Sequence, residues 1–241
     1  MDPAYGDRYR HLYDNHWWWR AREKVVLAEL ARSRPDGGWK RALDVGCGDG
    51  LLFGALGAYA AAVEGVEPDA HLVTNSLRPD GTIHVRRFDE AFRPGRRYDL
   101  VLFLDVLEHL DDPGAAVAHA ATLMEPGGTL LVTVPAFLSL WTTHDDLNRH
   151  VTRYDRRELV ALLSPHFTVD RARYFFRWVH PAKVVQRLIE GVTRPEPAPP
   201  QIPPPPLNAT MYAMSRIEEA LLAWSNIPVG SSLLAVGRKK G

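Results

Sequence analysis

The ten residues LDVGCGDGLL (43–52) constrain the fold more strongly than any other part of this 241-residue chain. Three glycines, Gly46, Gly48 and Gly50, stand between two apolar runs. Glycine lets the backbone turn sharply and approach a ligand closely. The free N–H groups at the start of a following helix favour a polar or anionic group. The stretch therefore predicts a strand, a ligand-binding turn and a helix, with the ligand at the carboxyl end of the strand.

Short apolar segments alternate with helical ones between Lys40 and Pro135. Such alternation predicts parallel β-α-β units and a doubly wound α/β sheet. We expect strands at 41–46, 61–68, 83–88, 98–105 and within 125–135, and helices at about 49–59, 69–78 and 113–124.

The pattern loosens after Pro135, where a long polar and aromatic loop is expected over 136–154. A helix over 155–164 has Asp155 as its N-cap and Glu158 three residues on, which is the spacing of a capping box. The remaining expected elements are a strand at 167–176, a helix at 180–192, a proline-rich strap at 194–207, a helix at 208–225 and a closing strand at 230–239.

This order of elements predicts three parts of the chain. Residues 1–39 form an N-terminal helical lid, and residues 40–176 with 229–241 form the cofactor-binding domain. Residues 177–228 form a cap on the substrate side. The segment HWWWRARE (16–23) is interpreted as part of the lid, with a core-packing helix as the alternative. Three adjacent tryptophans cannot all face one side of a helix, so some of them pack on the sheet domain and some stay partly exposed.

Composition limits the kinds of partner. Lys and Arg total 29, as do Asp and Glu, and this balance argues against nucleic acid as a partner. The single cysteine, Cys47, allows no disulfide within the chain and indicates a reducing, cytoplasmic compartment. The N-terminus lacks the apolar stretch of a signal peptide, and no long apolar run predicts stable membrane insertion. We expect a monomer or a homodimer that acts on a small molecule.

Two carboxylates narrow the choice of cofactor. Glu67 ends the second strand about 20 residues after the glycines, where a carboxylate accepts hydrogen bonds from ribose hydroxyls. Asp44 precedes the first glycine by two residues. A carboxylate there would repel a pyrophosphate but attract the ammonium of an amino-acid cofactor. The pair favours S-adenosylmethionine over a nicotinamide dinucleotide.

Five segments, in order, resemble the motifs of the class I S-adenosylmethionine-dependent methyltransferases. They are LDVGCGDGLL (43–52), VEGVEPD (63–69), RFDEAF (87–92), LDVLEHLDDP (104–113) and LMEPGGTLLVTVP (123–135). The fourth resembles the branch that contains the ubiquinone-biosynthesis O-methyltransferases. The resemblance implies a seven-stranded, mostly parallel, Rossmann-like sheet whose last strand is antiparallel. It also implies that S-adenosyl-L-methionine is the cofactor and S-adenosyl-L-homocysteine the product.

The same resemblance implies a set of cofactor-binding residues. Glu67 would meet the ribose and Asp89 the adenine amino group. The interpretation of residues 1–39 as a lid, and not the resemblance, adds Arg22 near the amino-acid end, where it could pair with a carboxylate. Cys47 is a small residue that fits the turn rather than a nucleophile. The full set is Arg22, Asp44, Gly46, Cys47, Gly48, Glu67, Pro68, Phe88, Asp89, Asp105 and Val106.

Candidates for the chemistry lie after the fourth and fifth strands. A positioned base helps when a hydroxyl must lose its proton, and histidine is the commonest base. His109, His144 and His150 are the candidate bases. The candidate substrate contacts are Trp141, Asp145, Asn148 and Tyr154. Two histidines and an aspartate can also bind a metal, but hydrogen bonding within the loop is the commoner arrangement, and no metal is expected.

The sequence therefore predicts an S-adenosylmethionine-dependent methyltransferase that methylates a small molecule, with a hydroxyl as acceptor, in natural-product or other small-molecule biosynthesis. N-methylation of an amine or amino sugar is the close alternative, since a neutral amine is already nucleophilic. An NAD-dependent oxidoreductase and a non-catalytic cofactor-binding protein are the more distant ones.

Overall fold

The computed structural model describes residues 3–74, 77–193 and 195–241. Its centre is one sheet with the strand order β3-β4-β2-β1-β5-β6-β8-β7. The strands are β1 (Trp39–Val45), β2 (Ala60–Glu67), β3 (Leu77–Arg78), β4 (Gly81–Val85), β5 (Tyr98–Leu104), β6 (Met124–Pro135), β7 (Phe167–Phe175) and β8 (Ser232–Lys239).

The sheet confirms the predicted architecture. Strands β4, β2, β1, β5 and β6 pair in parallel, and β8 lies antiparallel to both β6 and β7. Seven strands were expected. The eighth, β3, is a two-residue strand that pairs antiparallel with β4 at the edge of the sheet. Because β1 lies between β2 and β5, the carboxyl ends of these three strands meet at one edge.

Helices cover both faces of the sheet. They are α1 (Pro3–Asn15), α2 (Trp17–Ser33), α3 (Phe53–Leu56), α4 (Pro113–Leu123), α5 (Thr143–Asn148), α6 (Arg156–Leu163), α7 (Val179–Thr193) and α8 (Pro205–Leu222). Single turns of 3₁₀ helix follow β5 at Leu107–His109 and β6 at Leu138–Leu140.

The side chains of β1 alternate between two apolar cores, one on each face of the sheet. Leu43 and Val45 belong to one core, and Ala42 belongs to the other. Successive side chains of a strand point to opposite faces, so a strand covered on both sides reads as a continuous apolar run. Helix α2 contributes Trp17 and Val25 to the second core. It is therefore part of the packed body of the protein.

Two predicted helices were wrong in extent. Helix α3 is a single turn, because Gly54 and Gly57 weaken a helix here. The segment 69–74 forms turns, and residues 75–76 of the expected helix lie outside the described part. The Asp69 side chain accepts a hydrogen bond from the His71 N–H at 3.0 Å, and Asp49 accepts one from Thr74. Side chains that bond nearby backbone in this way compete with helix formation.

Capping boxes fix the two helices between β6 and β7. Asp155 caps α6, and Glu158 bonds back to the Asp155 N–H at 2.8 Å, as predicted. Helix α5 was not expected, since the whole of 136–154 was interpreted as a loop. Thr142 and Asp145 form a second capping box at its start. Among the described residues, no helix has the length and apolar character needed to cross a bilayer.

Candidate functional site

The glycine turn after β1 has a backbone that other residues rarely adopt. Gly46 has φ +70°, Gly48 has φ +55° and Gly50 has φ +64°. A Cβ at Gly46 would lie 2.7 Å from Cγ2 of Val106, closer than real Cβ contacts come. The turn thus depends on glycine twice, for its left-handed backbone and for close packing against the segment after β5.

Glu67, at the end of β2, is bound directly to this turn. Its Oε2 accepts a hydrogen bond from the Gly48 N–H at 3.0 Å, and its Oε1 accepts one from the Asp69 N–H at 2.9 Å. Burial raises the pKa of Glu67, and the two N–H groups oppose that rise. The carboxylate predicted to meet a ribose is therefore held rigidly beside the glycines.

Asp44 is a buried carboxylate that faces a small cavity. Its residue is 3% exposed, and it makes no hydrogen bond or ion pair with another described residue. Burial raises the pKa of Asp44 to about 7, against the effect of the Arg22 charge. A buried carboxyl group without a partner is costly. The group therefore fits a ligand that brings a positive charge.

Arg22 of α2 reaches across to the ends of β5 and β6. Its Nε lies 2.5 Å from Oδ2 of Asp105, and its Nη2 donates to Oγ1 of Thr133 at 3.4 Å. Asp105 has φ +57°. A non-glycine residue in this conformation is strained, and such strain concentrates at functional sites.

Helix α1 contributes two side chains to the wall of this cavity. Tyr9 and Tyr13 line it together with Arg22, Asp44 and Gly46. Its free space is about 30 Å³, which is room for only a few water molecules. Arg10 of α1 pairs with Asp49, in the glycine turn, and this contact ties the helix down over the site.

The predicted adenine-side residues lie along the next strands. Phe88 packs edge-on against Phe103, with 5.6 Å between the ring centroids. Asp89 is exposed, and its carboxylate accepts a hydrogen bond from the Ala91 N–H at 3.0 Å. Pro68 is exposed after β2, whereas Val106 packs against Gly46.

A rigid Asp–His pair lies at the edge of the sheet that the glycine turn also borders. Nδ1 of His150 lies 2.8 Å from Oδ1 of Asp145. Arg153 donates to both carboxylate oxygens, at 2.8 and 2.9 Å. Burial disfavours ionisation of Asp145, but the bonds from His150 and Arg153 outweigh it and hold the Asp145 pKa well below its usual range. An ionised Asp145 accepts a hydrogen bond from the Nδ1–H of His150, which leaves Nε2 as the nitrogen outside this contact.

His109 and Glu108 complete this cluster from the turn after β5. The rings of His109 and His150 meet edge to face, with 4.6 Å between centroids. Glu108 is fully buried, and neither of its oxygens has a hydrogen-bond partner within the described part of the chain. Burial and the Asp105 charge raise the pKa of Glu108 well above its usual value, and burial lowers the pKa of His109 to about 4.

The cluster has the composition of a metal site. Donor atoms of Glu108, His109 and His150 all lie within 4.8 Å of one another. Two neutral imidazoles and a carboxylate can hold a divalent cation. No metal was predicted from the sequence, and a cation here would occupy a nitrogen of His150.

The other predicted acceptor-side residues have mainly internal partners. Nδ2 of Asn148 lies 3.0 Å from Nε2 of His144, and burial lowers the pKa of His144 to about 3. Nε1 of Trp141 donates to Asp146 at 2.8 Å. The buried Tyr154 donates its hydroxyl proton to the Leu107 carbonyl at 3.1 Å.

Sequence reasoning missed four groups that the fold brings to these sites: Glu108, Arg153, Tyr9 and Thr133. Glu108 precedes His109 in the motif LDVLEHLDDP (104–113), so the sequence could have identified it as a candidate site residue. Arg153 and Thr133 carry no local signal, since their roles depend on contacts with residues in other elements.

Comparison with known proteins shows the family of the chain. A family model described as a methyltransferase domain matches residues 18–166, more than half of the chain. A ubiquinone biosynthesis O-methyltransferase of Burkholderia cenocepacia is 32% identical over 181 residues, which cover 66% of this chain and 72% of that protein.

Solved structures share the fold. A methyltransferase of Haloferax volcanii, in complex with the Trm112 methyltransferase activator, matches with a TM-score of 0.63 at 18% identity, over 99% of this chain and 95% of that one. The N-methyltransferase NodS of Bradyrhizobium japonicum, in complex with S-adenosyl-L-homocysteine, matches with a TM-score of 0.58 at 14% identity, over 96% and 91%. The chain belongs to the methyltransferase-domain family and is a class I S-adenosylmethionine-dependent methyltransferase.

Proposed function

We propose that this enzyme transfers the methyl group of S-adenosylmethionine to a hydroxyl of a small molecule, with His150 as the general base. The observation that carries the proposal is the 2.8 Å contact between Nδ1 of His150 and Asp145, itself held by Arg153 at both oxygens. An ionised carboxylate that orients an imidazole is the usual way to present Nε2 as a base. The similarity to O-methyltransferases agrees with a hydroxyl acceptor.

The residues around the glycine turn fit the cofactor. The unpartnered Asp44 carboxylate would receive the ammonium group, and Glu67 would receive the ribose hydroxyls. Arg22 lies within the same cavity and would hold the cofactor carboxylate. When bound, the cofactor supplies a methyl group on a positively charged sulfur, which an oxygen nucleophile attacks in line.

The chain's own groups then position the acceptor and accept its proton. As the oxygen–carbon bond forms and the carbon–sulfur bond breaks, the hydroxyl proton passes to Nε2 of His150. Asp145 stabilises the imidazolium that results. It acts as a positioning residue, since both of its oxygens already accept bonds from His150 and Arg153.

The test measures S-adenosylhomocysteine formation with a panel of phenols, catechols and amines. For a hydroxyl acceptor, His150→Gln should lower kcat by about 10²–10⁴-fold and leave S-adenosylhomocysteine affinity unchanged. His166→Gln is the matched control, since His166 is exposed beyond α6, away from the site.

Two results would overturn the proposal. If only amines are methylated, and His150→Gln retains full activity with them, the acceptor is nitrogen and no base is needed. If phenol methylation survives the substitution, His150 does not take the proton.

A further inference from the structure

A continuous uncharged surface runs along α8 and the turn that follows it. Its large side chains are well exposed: Leu207 is 52% exposed, Met214 42%, Ile217 58%, Leu221 75% and Trp224 74%. None of the exposed residues of α8 is charged. A contiguous apolar patch of this kind marks an interaction site.

The charged residues of α8 point inward instead. Glu219 accepts hydrogen bonds from Arg173 of β7 at 2.8 and 2.9 Å, and Glu218 pairs with Arg177 at 3.4 Å. Both glutamates are buried. Surface helices ordinarily show the reverse arrangement, with the apolar side inward. The inner side of α8 is thus satisfied by ion pairs, and its apolar side is left for a partner.

The exposed positions have the spacing of a helix that pairs with another helix. Apolar residues at every first and fourth position of a heptad form a narrow seam. The seam consists of two series of positions seven residues apart, offset by three: Leu207, Met214 and Leu221, and Thr210, Ile217 and Trp224. Ala213 and Ala220 flank this seam, and their small side chains would let the backbone of a partner helix approach closely.

Trp224 is held in place by two arginine side chains of the same chain. The Arg171 guanidinium lies 4.4 Å from the centre of its ring, and that of Arg32 lies 5.3 Å away. The indole nevertheless remains 74% exposed. A large aromatic ring that is already ordered loses little entropy on binding, and such residues dominate interface energetics.

We propose that α8 is the contact of a two-fold homodimer, in which the seams of two copies pack against each other. At a two-fold axis a patch meets its own copy, so a net charge would repel itself, whereas an uncharged seam is self-complementary. A membrane surface fits less well. Interfacial helices carry Lys and Arg on their polar side, but α8 has a single arginine and two glutamates.

The size of the seam indicates a reversible dimer. An 18-residue helix is about 27 Å long. Two such helices crossing at a seam bury less than the roughly 800 Å² per partner of a standard interface. Dimerisation should therefore depend on protein concentration, and it is independent of the proposed acceptor and base.

The test is sedimentation velocity over a concentration series with the full-length chain. The wild type should shift from monomer to dimer as concentration rises, and Ile217→Glu should remain monomeric over the same range. Leu221→Gln adds no charge and should weaken dimerisation about tenfold or more. Ala161→Glu is the matched control, because Ala161 is an exposed helical residue of α6 that lies outside the seam. Circular dichroism melting confirms that each variant is folded.

Three results would overturn the proposal. The wild type could remain monomeric throughout, or Ile217→Glu could dimerise like the wild type. The monomer could instead pellet with vesicles of an anionic phospholipid and lose this binding in Ile217→Glu, which would make a membrane the occupant of the seam.

Discussion

Arg22 of α2 and Asp105 at the end of β5 form an ion pair with 2.5 Å between Nε and Oδ2. The arginine side chain is 9% exposed and that of the aspartate is 23% exposed. The pair joins a helix near the N-terminus to the edge of the sheet where the glycine turn lies. It therefore ties the packing of α2 to the geometry of the proposed cofactor site.

Arg22→Met should destabilise the protein by about 3 kcal/mol, at the low end of the range for breaking a buried pair, because Asp105 keeps some contact with water. Urea unfolding measures the loss. Adding Asp105→Asn to Arg22→Met should lower the free energy of unfolding little further, because the double variant no longer contains an unpaired carboxylate at this position. Fully additive losses would show that the two side chains do not interact.

Cofactor affinity should fall in acid because of Asp44. Burial raises the pKa of this carboxyl to about 7, and an ammonium binds only its ionised form. Below pH 7, affinity for S-adenosylhomocysteine should therefore drop about tenfold per pH unit. Titration calorimetry between pH 5.5 and about 8 measures it. Asp44→Asn should bind weakly at every pH and lose the slope; an unchanged slope would exclude Asp44 as the titrating group.

Gly46→Ala should destabilise the fold for two separable reasons. The left-handed backbone costs about 1–2 kcal/mol for any residue with a Cβ, and the added methyl would lie 2.7 Å from Val106. Gly37→Ala isolates the first cost, since Gly37 has φ +82° and nothing lies within 4 Å of an added Cβ. Val106→Ala combined with Gly46→Ala should recover part of the second. Equal melting temperatures for the two glycine variants would show that the Val106 contact does not matter.

Helix α1 should act as a lid whose movement admits the cofactor. The free space of about 30 Å³ beside Asp44 and Arg22 is too small for the amino-acid end of the cofactor, and Arg10 ties α1 to Asp49. Arg10→Ala should therefore speed both association and dissociation of S-adenosylhomocysteine in stopped-flow fluorescence. His11→Ala, an exposed change on the same helix, is the control. Identical rates in wild type and Arg10→Ala would mean that this contact does not limit entry.

Removal of divalent cations distinguishes between two roles of His150, general base and metal ligand. If it is the base, incubation with a chelator should leave turnover unchanged. A loss of activity that Mg²⁺ or Zn²⁺ restores would instead make Glu108, His109 and His150 ligands of a cation. The cation should then also raise the melting temperature of the wild type but not of His150→Gln.

The sequence alone determined the features that depend on neighbours in the chain. The glycine turn, Glu67 at the end of β2 and the Asp155–Glu158 capping box are local, because backbone conformation and hydrogen bonds between nearby residues decide them. The parallel β-α-β units followed from the alternation of apolar and helical segments along the chain, whereas the antiparallel last strand was implied by the family resemblance. The missed capping box at Thr142 shows that even a local signal is lost within a polar stretch.

Only the tertiary structure decided which distant groups meet. Arg22 pairs with Asp105, and the unpartnered Glu108 lies beside His150, because α2, β5 and the segment after β6 converge at one edge of the sheet. The reversed polarity of α8 has the same origin, since Arg173 of β7 draws Glu219 inward. Such contacts depend on packing between elements that are far apart in the chain, and the spacing of residues within one element does not specify them.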